Sequence, residues 1–324
     1  MKDKSLESIG EFGLIDIIKK KFNSKNNDSL IIGIGDDAAS INLNSKNVIF
    51  CSDAMVENVH FRKQDGFESV GWKSIVSNQS DLAGMGATPI AFTITLGVNN
   101  KFSNEDIKDL YKGMNKACEV HGGYLVGGDV VHSTDIFVSI SAIGELFNKD
   151  SIMLRDKAKI NDLVAVTGEI GNAAAGLFSI ENDINLYTKQ KNIFLKPSPR
   201  ISHSENAIKA GIRCGMDISD GLQKDLQRIC SASKVSIEIE VEKIPFDKKL
   251  KDLYTSNLYE KIITSGEDYE LLIIGSEEKL EKIHKKTEII IIGKVVDNNS
   301  SELIFKNNKN NLKITSESFD HFGK

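Results

Sequence analysis

Apolar residues recur every three to four positions in several stretches of this chain, a spacing that predicts amphipathic helices. The clearest example is SNEDIKDLYKGMNKACEVHG at 103–122, where Ser103 or Asn104 is placed to cap the first turn. Its apolar stripe consists of Ile107, Leu110, Tyr111, Met114, Ala117 and Cys118. Helices are also predicted at 15–22 and 69–84, and within MDISDGLQKDLQRIC. In that last helix the inward-facing residues are Leu222, Leu226, Ile229 and Cys230.

Short apolar runs bounded by Gly, Pro or polar residues alternate with these helices and predict strands. In the first half they are SLIIGIG, NVIFCSDAM, IAFTITLGV, GGYLVGGDVV and IFVSISAIGEL. In the second half they are the start of DLVAVTGEIGNAAAGLFSI, then VSIEIEV, YELLIIG and EIIIIGKVV. FLKPSPRIS carries two of the four prolines and is predicted to be a rigid connection. Strands and helices mix in both halves, which predicts an α+β protein with domains at 1–149 and 150–324.

The composition of the chain limits the classes of molecule that the protein is expected to bind. The chain has 324 residues, a formal net charge of −5, 40% hydrophobic and 27% charged residues, typical of a globular protein. The acidic balance argues against nucleic acid as the main partner, because a phosphate backbone needs a basic face. No apolar run is long enough to span a membrane, and the N-terminal sequence lacks the apolar core of a secretory signal. Four cysteines without a CxxC pair favour a reducing cytoplasm.

Aspartates next to Gly or Ser follow several of the apolar runs. The motifs are Gly35-Asp36-Asp37, Ser52-Asp53, Ser80-Asp81, Gly127-Gly128-Asp129, Asp217-Ile218-Ser219-Asp220-Gly221 and Gly266-Glu267-Asp268. If they converge, two like charges about 4 Å apart cost roughly 4 kcal/mol at an effective dielectric of 20. Oxygen ligands select hard cations, and Mg²⁺ commonly uses one or two carboxylates together with substrate phosphates. The pattern therefore predicts magnesium against at least one of Asp36 and Asp37.

Common nucleotide-binding signatures do not account for these motifs. GFESVGWKS resembles a P-loop, but Trp72 separates Gly71 from Lys73 and no strand precedes it. TGEIGNAAAG lacks the GxGxxG spacing, and no HRD or DFG kinase motif is present. Ser219 has no GxSxG context, so capping of the following helix is the alternative for it. A chain with these motifs that binds ATP would do so through a less common fold.

Seven motifs in order resemble those of the thiamine-monophosphate kinases, which belong to the AIR-synthetase-like ATP-binding superfamily. They are GIGDDAA, SDAMVENVHF, SNQSDLAGMGATP, GGDVV, MDISDGL, SGEDYELL and FDHFG. The resemblance runs from about Gly10 to the last residues. It implies a two-domain α/β fold, with an N-terminal mixed sheet and helices that dimerises and a C-terminal α/β domain. It also implies a cytoplasmic homodimer that uses Mg²⁺ and ATP to convert thiamine monophosphate to thiamine diphosphate.

The resemblance also implies roles for individual residues. Several Mg²⁺ ions would be held by Asp37, Cys51, Ser52, Asp53, Asp81, Asp129, Asp217 and Asp220. ATP would contact Tyr111, Gly128, Asp129, Arg155 and Ser219, although the apolar stripe makes core packing the alternative for Tyr111. Thiamine monophosphate would contact His60, Glu267 and Phe319. Asp36 would serve as a cap or orient a ligand.

No side chain is expected to act as a general base. The acceptor is a phosphate whose second pKa is about 6, so it is largely ionised at neutral pH. Charge cancellation and in-line positioning are what the transfer needs, and metal ions provide both. Val130, Val131 and Ala54 replace threonines that are common in the family, which changes hydrogen bonding beside the ligands rather than the ligands themselves.

Two alternatives remain at the level of sequence. One is a sister enzyme of the superfamily: a selenophosphate synthetase, a hydrogenase-maturation protein or AIR synthetase itself. The first two need a reactive cysteine near the N-terminus or at the C-terminus, whereas the first cysteine here is Cys51 and the chain ends DHFGK. FDHFG and SGEDYELL favour the thiamine branch over AIR synthetase. The other alternative is a non-catalytic sensor of ATP or thiamine.

Overall fold

The computed structural model describes residues 18, 30–32, 40–41, 43, 47–149, 151–255, 257–296, 301–308, 310–316 and 318. The chain divides into two compact units, Met1–Leu82 with Thr88–Leu146 and Ala83–Ala87 with Phe147–Lys324. The main boundary between the two units therefore lies between residues 146 and 147. The boundary predicted from the sequence lies between residues 149 and 150. Among the described residues, no helix is both long and apolar enough to cross a membrane.

The first unit is built on a four-stranded sheet with the strand order β3-β6-β4-β5. Its strands are β3 (Val48–Val56), β4 (Ala87–Val98), β5 (Tyr124–His132) and β6 (Phe137–Leu146), and a separate antiparallel pair joins β1 (Leu30–Ile32) and β2 (Ser40–Ile41). Helices Phe67–Gly84 and Asn104–His121 and a 3₁₀ turn at Lys63–Asp65 connect them. β3 and β6 pair antiparallel along their length, whereas β4 and β5 are parallel.

Helix Asn104–His121 begins as predicted from its sequence. The Ser103 hydroxyl accepts from the Asp106 N–H at 3.1 Å, and the Asp106 carboxylate accepts from the Ser103 N–H at 2.9 Å. This reciprocal pair satisfies N–H groups that the first helical turn leaves free. All six residues of the apolar stripe are buried, which confirms the predicted face.

The P-loop-like sequence GFESVGWKS has a structural explanation. All of it except its first residue, Gly66, lies inside helix Phe67–Gly84, and its Gly71 faces helix Asn104–His121. A Cβ on Gly71 would lie 1.9 Å from the Leu110 carbonyl oxygen, and one on Gly113 would lie 1.9 Å from the Glu68 carbonyl oxygen. The two glycines therefore allow the helix backbones to touch, and no phosphate-binding loop forms here.

The second unit is built on a seven-stranded mixed sheet with the order β13-β12-β9-β11-β7-β10-β8. The strands are β7 (Leu163–Val166), β8 (Cys214–Ile218), β9 (Ser236–Glu240), β10 (Glu270–Gly275), β11 (Ile290–Val296), β12 (Leu303–Asn307) and β13 (Asn310–Leu312). The helices are Asn172–Glu181, Thr188–Leu195, Ile201–Lys209, Leu222–Ser233, Leu250–Leu253, Leu258–Thr264 and Glu277–His284, with a 3₁₀ turn at Val241–Lys243. Only the β9–β12 pair is parallel among the pairings of this sheet.

Helices cover both faces of this sheet. On β10, Leu271 and Ile273 pack in one apolar cluster, while Leu272 and Ile274 pack in another. Because strand side chains alternate between faces, the two clusters lie on opposite sides of the sheet. The predicted inward stripe of helix Leu222–Ser233 is buried in the second of these clusters. This packing fixes where β8 ends and that helix begins.

Candidate functional site

The turn from β8 into helix Leu222–Ser233 carries three of the predicted ligands. Asp217 is buried in β8, opposite Leu271 of β10. Ser219 and Asp220 follow it and are half-buried. Gly221, with φ +115°, is the N-cap of the helix, so the capping role considered for Ser219 is wrong. A Cβ at Gly221 would lie 2.9 Å from the Thr264 carbonyl oxygen, so the turn has little room there.

Asp225, which was not among the predicted site residues, accepts the hydrogen bonds that hold this turn in place. Its Oδ2 accepts from the backbone N–H of Ser219 and of Asp220, each at 3.1 Å. Arg228 contacts Asp225 Oδ1 at 2.6 Å through Nη1 and Asp220 Oδ2 through Nη2. Lys224 Nζ lies 3.4 Å from the same Asp220 oxygen. Arg228 therefore pairs with both carboxylates, and Lys224 pairs with that of Asp220.

The electrostatics of Asp225 show how crowded these carboxylates are. Burial raises the pKa of Asp225 to about 7, and the neighbouring negative charges of Asp217 and Asp220 add to the rise. The Arg228 guanidinium opposes it. The carboxylates of Asp217, Asp220 and Asp225 are therefore close enough for their charges to act on one another.

The predicted substrate residue Glu267 lies beside the same turn. Its N–H donates to the Ser219 carbonyl at 2.8 Å, and the Tyr269 N–H donates to the Ile218 carbonyl at 3.0 Å. Both residues have left-handed φ angles, 68° for Glu267 and 53° for Tyr269. A Cβ on Gly266 would lie 2.3 Å from the Ser219 carbonyl oxygen. Strained backbone and close packing thus bring Glu267 next to Ser219.

Two further buried carboxylates hold the segment that follows Glu267. Asp268 accepts from the Gly171 N–H at 2.6 Å and from the Ala173 N–H at 3.0 Å, and burial raises its pKa to about 7. Glu270 accepts from the Thr167 hydroxyl at 2.6 Å and pairs with the Arg200 guanidinium through both of its oxygens. The sequence signal for Glu270 is a carboxylate inside the apolar run YELLIIG.

Arg155 lies on the rim of an open groove of about 1270 Å³ in the second unit. Lys224, Arg228 and Lys313 also line this groove, and Leu303 and Phe305 contribute apolar surface. Guanidinium and ammonium groups next to apolar surface suit a ligand that has both phosphate and ring components.

In the first unit, three predicted metal residues follow one another on β3. The Cys51 thiol lies 3.7 Å from the Asn78 carbonyl oxygen of helix Phe67–Gly84. The Ser52 hydroxyl donates to the Ile140 carbonyl at 2.8 Å. Because a strand alternates its faces, Cys51 and Asp53 lie on the helix-covered face and Ser52 on the other. Their side chains do not converge, so Ser52 can join Asp53 only through its backbone oxygen.

Gly128 and Asp129 lie on β5, next to β4. A Cβ on Gly128, whose φ is +154°, would lie 1.8 Å from the Ile94 carbonyl oxygen. Only glycine therefore fits this strand pairing. Asp129 is exposed, lies opposite Thr95, and accepts from the Val130 N–H at 2.9 Å.

The remaining predicted residues of the first unit differ in accessibility. His60 is half-buried and its Nδ1 accepts from the Val56 N–H at 3.0 Å, which places the ring proton of the neutral imidazole on Nε2. Asp81 is half-buried in helix Phe67–Gly84. Tyr111 is only 4% exposed, and burial raises its pKa, so the structure favours core packing over adenine stacking for this residue.

Three of the residues discussed for the site lie outside the described part of the chain. Asp36, Asp37 and Phe319 do not belong to the described residues. Within the described ranges, no group of three His, Cys, Asp or Glu side chains is placed to hold one metal ion.

The chain is similar throughout its length to known proteins. It matches the AIR synthase related protein, N-terminal domain family at residues 35–146 and the corresponding C-terminal domain family at residues 159–306. It is 34% identical to thiamine-monophosphate kinase from Bacillus subtilis (strain 168), with 96% of this chain and 99% of the relative covered. Identity is also 34% to the enzyme of that name from Aquifex aeolicus (strain VF5), over 88% and 92% of the two chains. The solved structure of AaThiL complexed with AMPPCP and TMP is 29% identical, with a TM-score of 0.78 and coverage of 99% and 100%.

Proposed function

The chain belongs to the thiamine-monophosphate kinase family, and from this premise we propose how it transfers a phosphoryl group from ATP to thiamine monophosphate. The products are thiamine diphosphate and ADP. The observation that carries this function is the match over nearly the whole chain to AaThiL complexed with AMPPCP and TMP. The SDAMVENVHF, SNQSDLAGMGATP, MDISDGL and SGEDYELL motifs lie within the matched length and agree with it.

We propose that magnesium ions bind at the aspartates that the sequence singles out. The proposed ligands are Asp53, Asp81 and Asp129 in the first unit, Asp217 and Asp220 in the second, and Asp37, with backbone oxygens of Cys51 and Ser52. Bound magnesium would cancel phosphate charge and align the reacting groups. Oxygen ligands of this kind are the ones that magnesium prefers, and Asp217 and Asp220 follow one another closely at the end of β8.

The chain's own residues would bind and orient the two substrates. Arg155, which lines a cationic groove, would bind the ATP phosphates. Gly128 and the Ser219 hydroxyl would also contact ATP. His60 would donate from Nε2 to the phosphate of thiamine monophosphate, since its Nδ1 accepts from Val56. Glu267 would contact the same substrate, and Phe319 would stack on one of its rings. The ionised acceptor phosphate needs no general base.

We further propose a homodimer formed through the sheet of the first unit. Val48, Phe50 and Val131 are large apolar residues on its strands that remain exposed, with Phe50 exposed by 66%. Val48 and Phe50 lie two residues apart on one face of β3, whereas Val131 lies on β5 at the other edge of the sheet, and exposed apolar side chains grouped as on β3 favour an interface. The same patch on two copies would form an isologous contact.

The direct test is turnover. Purified protein with Mg-ATP and thiamine monophosphate should form thiamine diphosphate and ADP in equal amounts, measured by chromatography. Omission of either substrate or chelation of the metal should stop the reaction. Binding of both ligands without formation of thiamine diphosphate would instead support the non-catalytic sensor.

A further inference from the structure

Asp225 occupies an unusual position in helix Leu222–Ser233. Its side chain is fully buried one turn into the helix, and it points back toward the helix N-terminus. There a single oxygen accepts from the N–H groups of Ser219 and Asp220, two residues that precede the helix. One carboxylate therefore orders two consecutive peptide groups of the turn.

The turn is held from its other side as well. The Ser219 carbonyl accepts from the Glu267 N–H at 2.8 Å, and Gly266 packs against the same carbonyl. Ser219 is thus fixed at its N–H by Asp225 and at its carbonyl by the SGEDYELL segment. Neither contact involves the side chain of Ser219, which stays available to a ligand.

Helix capping alone does not explain this carboxylate. A helix start is usually satisfied by a Ser, Thr, Asp or Asn at the N-cap, and here that position is Gly221 without a side-chain bond. Burying a carboxylate is unfavourable unless it is paired and hydrogen-bonded. Asp225 meets that condition through Arg228, whose other nitrogen contacts Asp220.

We propose that Asp225 is a positioning residue for phosphoryl transfer. It holds Ser219 and Asp220 where they contact ATP and magnesium, and Arg228 neutralises it from behind. This inference rests on the proposed function, which assigns those contacts to Ser219 and Asp220. A displacement of reacting groups by about 1 Å costs on the order of 100-fold in rate, so loss of this support has a measurable effect.

Three substitutions separate the position of the carboxylate from its charge. Asp225→Ala removes the acceptor, Asp225→Glu keeps the charge but moves it by one methylene, and Asp225→Asn keeps an oxygen in place. We expect Asp225→Ala and Asp225→Glu to lower kcat by about 10- to 100-fold. We also expect both to weaken Mn²⁺ binding in the presence of AMPPCP by about tenfold or more, measured by electron paramagnetic resonance. Asp225→Asn keeps one oxygen for the two N–H groups but turns its NH₂ toward Arg228, so both properties should fall between those of Asp225→Ala and the wild type.

Ser236→Ala provides a matched control. Ser236 is buried in β9, and its hydroxyl accepts from the Glu302 N–H at 2.9 Å, so it too holds a backbone group. This variant should lower the melting temperature and leave kcat and Mn²⁺ affinity within twofold of the wild type.

The result that overturns the proposal is specific. If folded Asp225→Ala, well below its melting temperature, keeps kcat and Mn²⁺ affinity within twofold, Asp225 only stabilises the fold. If Asp225→Ala does not fold, the same criterion applies to Asp225→Glu. A wild-type protein that forms no thiamine diphosphate would contradict the proposed function, and the Mn²⁺ measurement would still decide the role of Asp225.

Discussion

Buried carboxylates in the second unit are each satisfied by identifiable partners. Asp225 has two backbone N–H groups and Arg228, Asp268 has two backbone N–H groups, and Glu270 has Arg200 and Thr167. An unpaired buried charge would be strongly destabilising, so these partners are what permit the burial. Asp217 and Asp220 are the carboxylates of this unit that the proposal assigns to magnesium.

Removal of one proposed metal charge should therefore abolish turnover without unfolding the protein. We predict that Asp81→Asn and Asp217→Asn each lower kcat/KM by roughly 100-fold or more at saturating Mg²⁺. Their melting temperatures without Mg²⁺ should stay near that of the wild type, because the substitution relieves repulsion. The exposed Asp156→Asn is the matched control and should keep full activity. Near-normal turnover of both variants would contradict the metal assignment.

The Asp268 carboxylate accepts hydrogen bonds from backbone N–H groups at the start of helix Asn172–Glu181. The pKa of its carboxyl is raised from 3.8 to about 7 in the folded protein, chiefly by burial. Between those values the folded state holds a proton that the unfolded chain has lost. The contribution of this group to stability is therefore largest at low pH and falls as the pH rises toward 7.

Asp268→Asn removes this titration. We predict that the melting temperature of the wild type minus that of Asp268→Asn decreases as the pH is raised from 5 to 8. Thermal unfolding of both proteins across that range measures the difference, which cancels the titration of all other groups. A difference that stays constant or grows with pH would show that Asp268 is ionised throughout.

At the scale of elements, β5 is held against β4 at Gly128. A side chain there would meet the Ile94 carbonyl oxygen, so we predict that Gly128→Ala lowers the free energy of unfolding by about 2 kcal/mol or more. Gly127 is the matched control, because a Cβ on it would have no atom within 4 Å. Gly127→Ala should cost less than about 1 kcal/mol in urea unfolding. Equal losses would mean that β5 shifts to make room.

The elements also show what the sequence can and cannot predict. Helical periodicity predicts Asn104–His121 and its Ser103 cap correctly, and the apolar runs predict most strands, since both signals are local. The strand order is not local: β9 lies between β11 and β12, which no neighbouring residues indicate. Short helices such as Leu258–Thr264 went unpredicted because packing, not periodicity, stabilises them.

The same distinction applies to the site. Motifs identify Asp217, Ser219, Asp220 and Glu267, and the structure places the last beside Ser219. Asp225 was not predicted, because its role depends on a side chain that turns back to a preceding loop. Strand alternation places the Ser52 side chain on the opposite face of β3 from Cys51 and Asp53. The prediction of these three adjacent residues as one ligand set did not take that alternation into account.

At the scale of the whole molecule, the proposed homodimer depends on the exposed sheet of the first unit. We predict that Phe50→Lys converts a species of twice the chain mass of 35.7 kDa into one of 35.7 kDa in light scattering. The matched control is Leu186→Lys, which charges a residue in the second unit that is 78% exposed. A wild type that is monomeric at micromolar concentration, or a Phe50→Lys dimer, would contradict this interface.

The central claim is direct transfer between two bound substrates. It is tested by following the label of [γ-³²P]ATP with Mg²⁺, with and without thiamine monophosphate. Because the acceptor is an ionised phosphate and no protein nucleophile is assigned, the label should appear in thiamine diphosphate and never on the protein. A labelled protein formed from ATP alone, or ATP consumption without labelled thiamine diphosphate, would contradict the account.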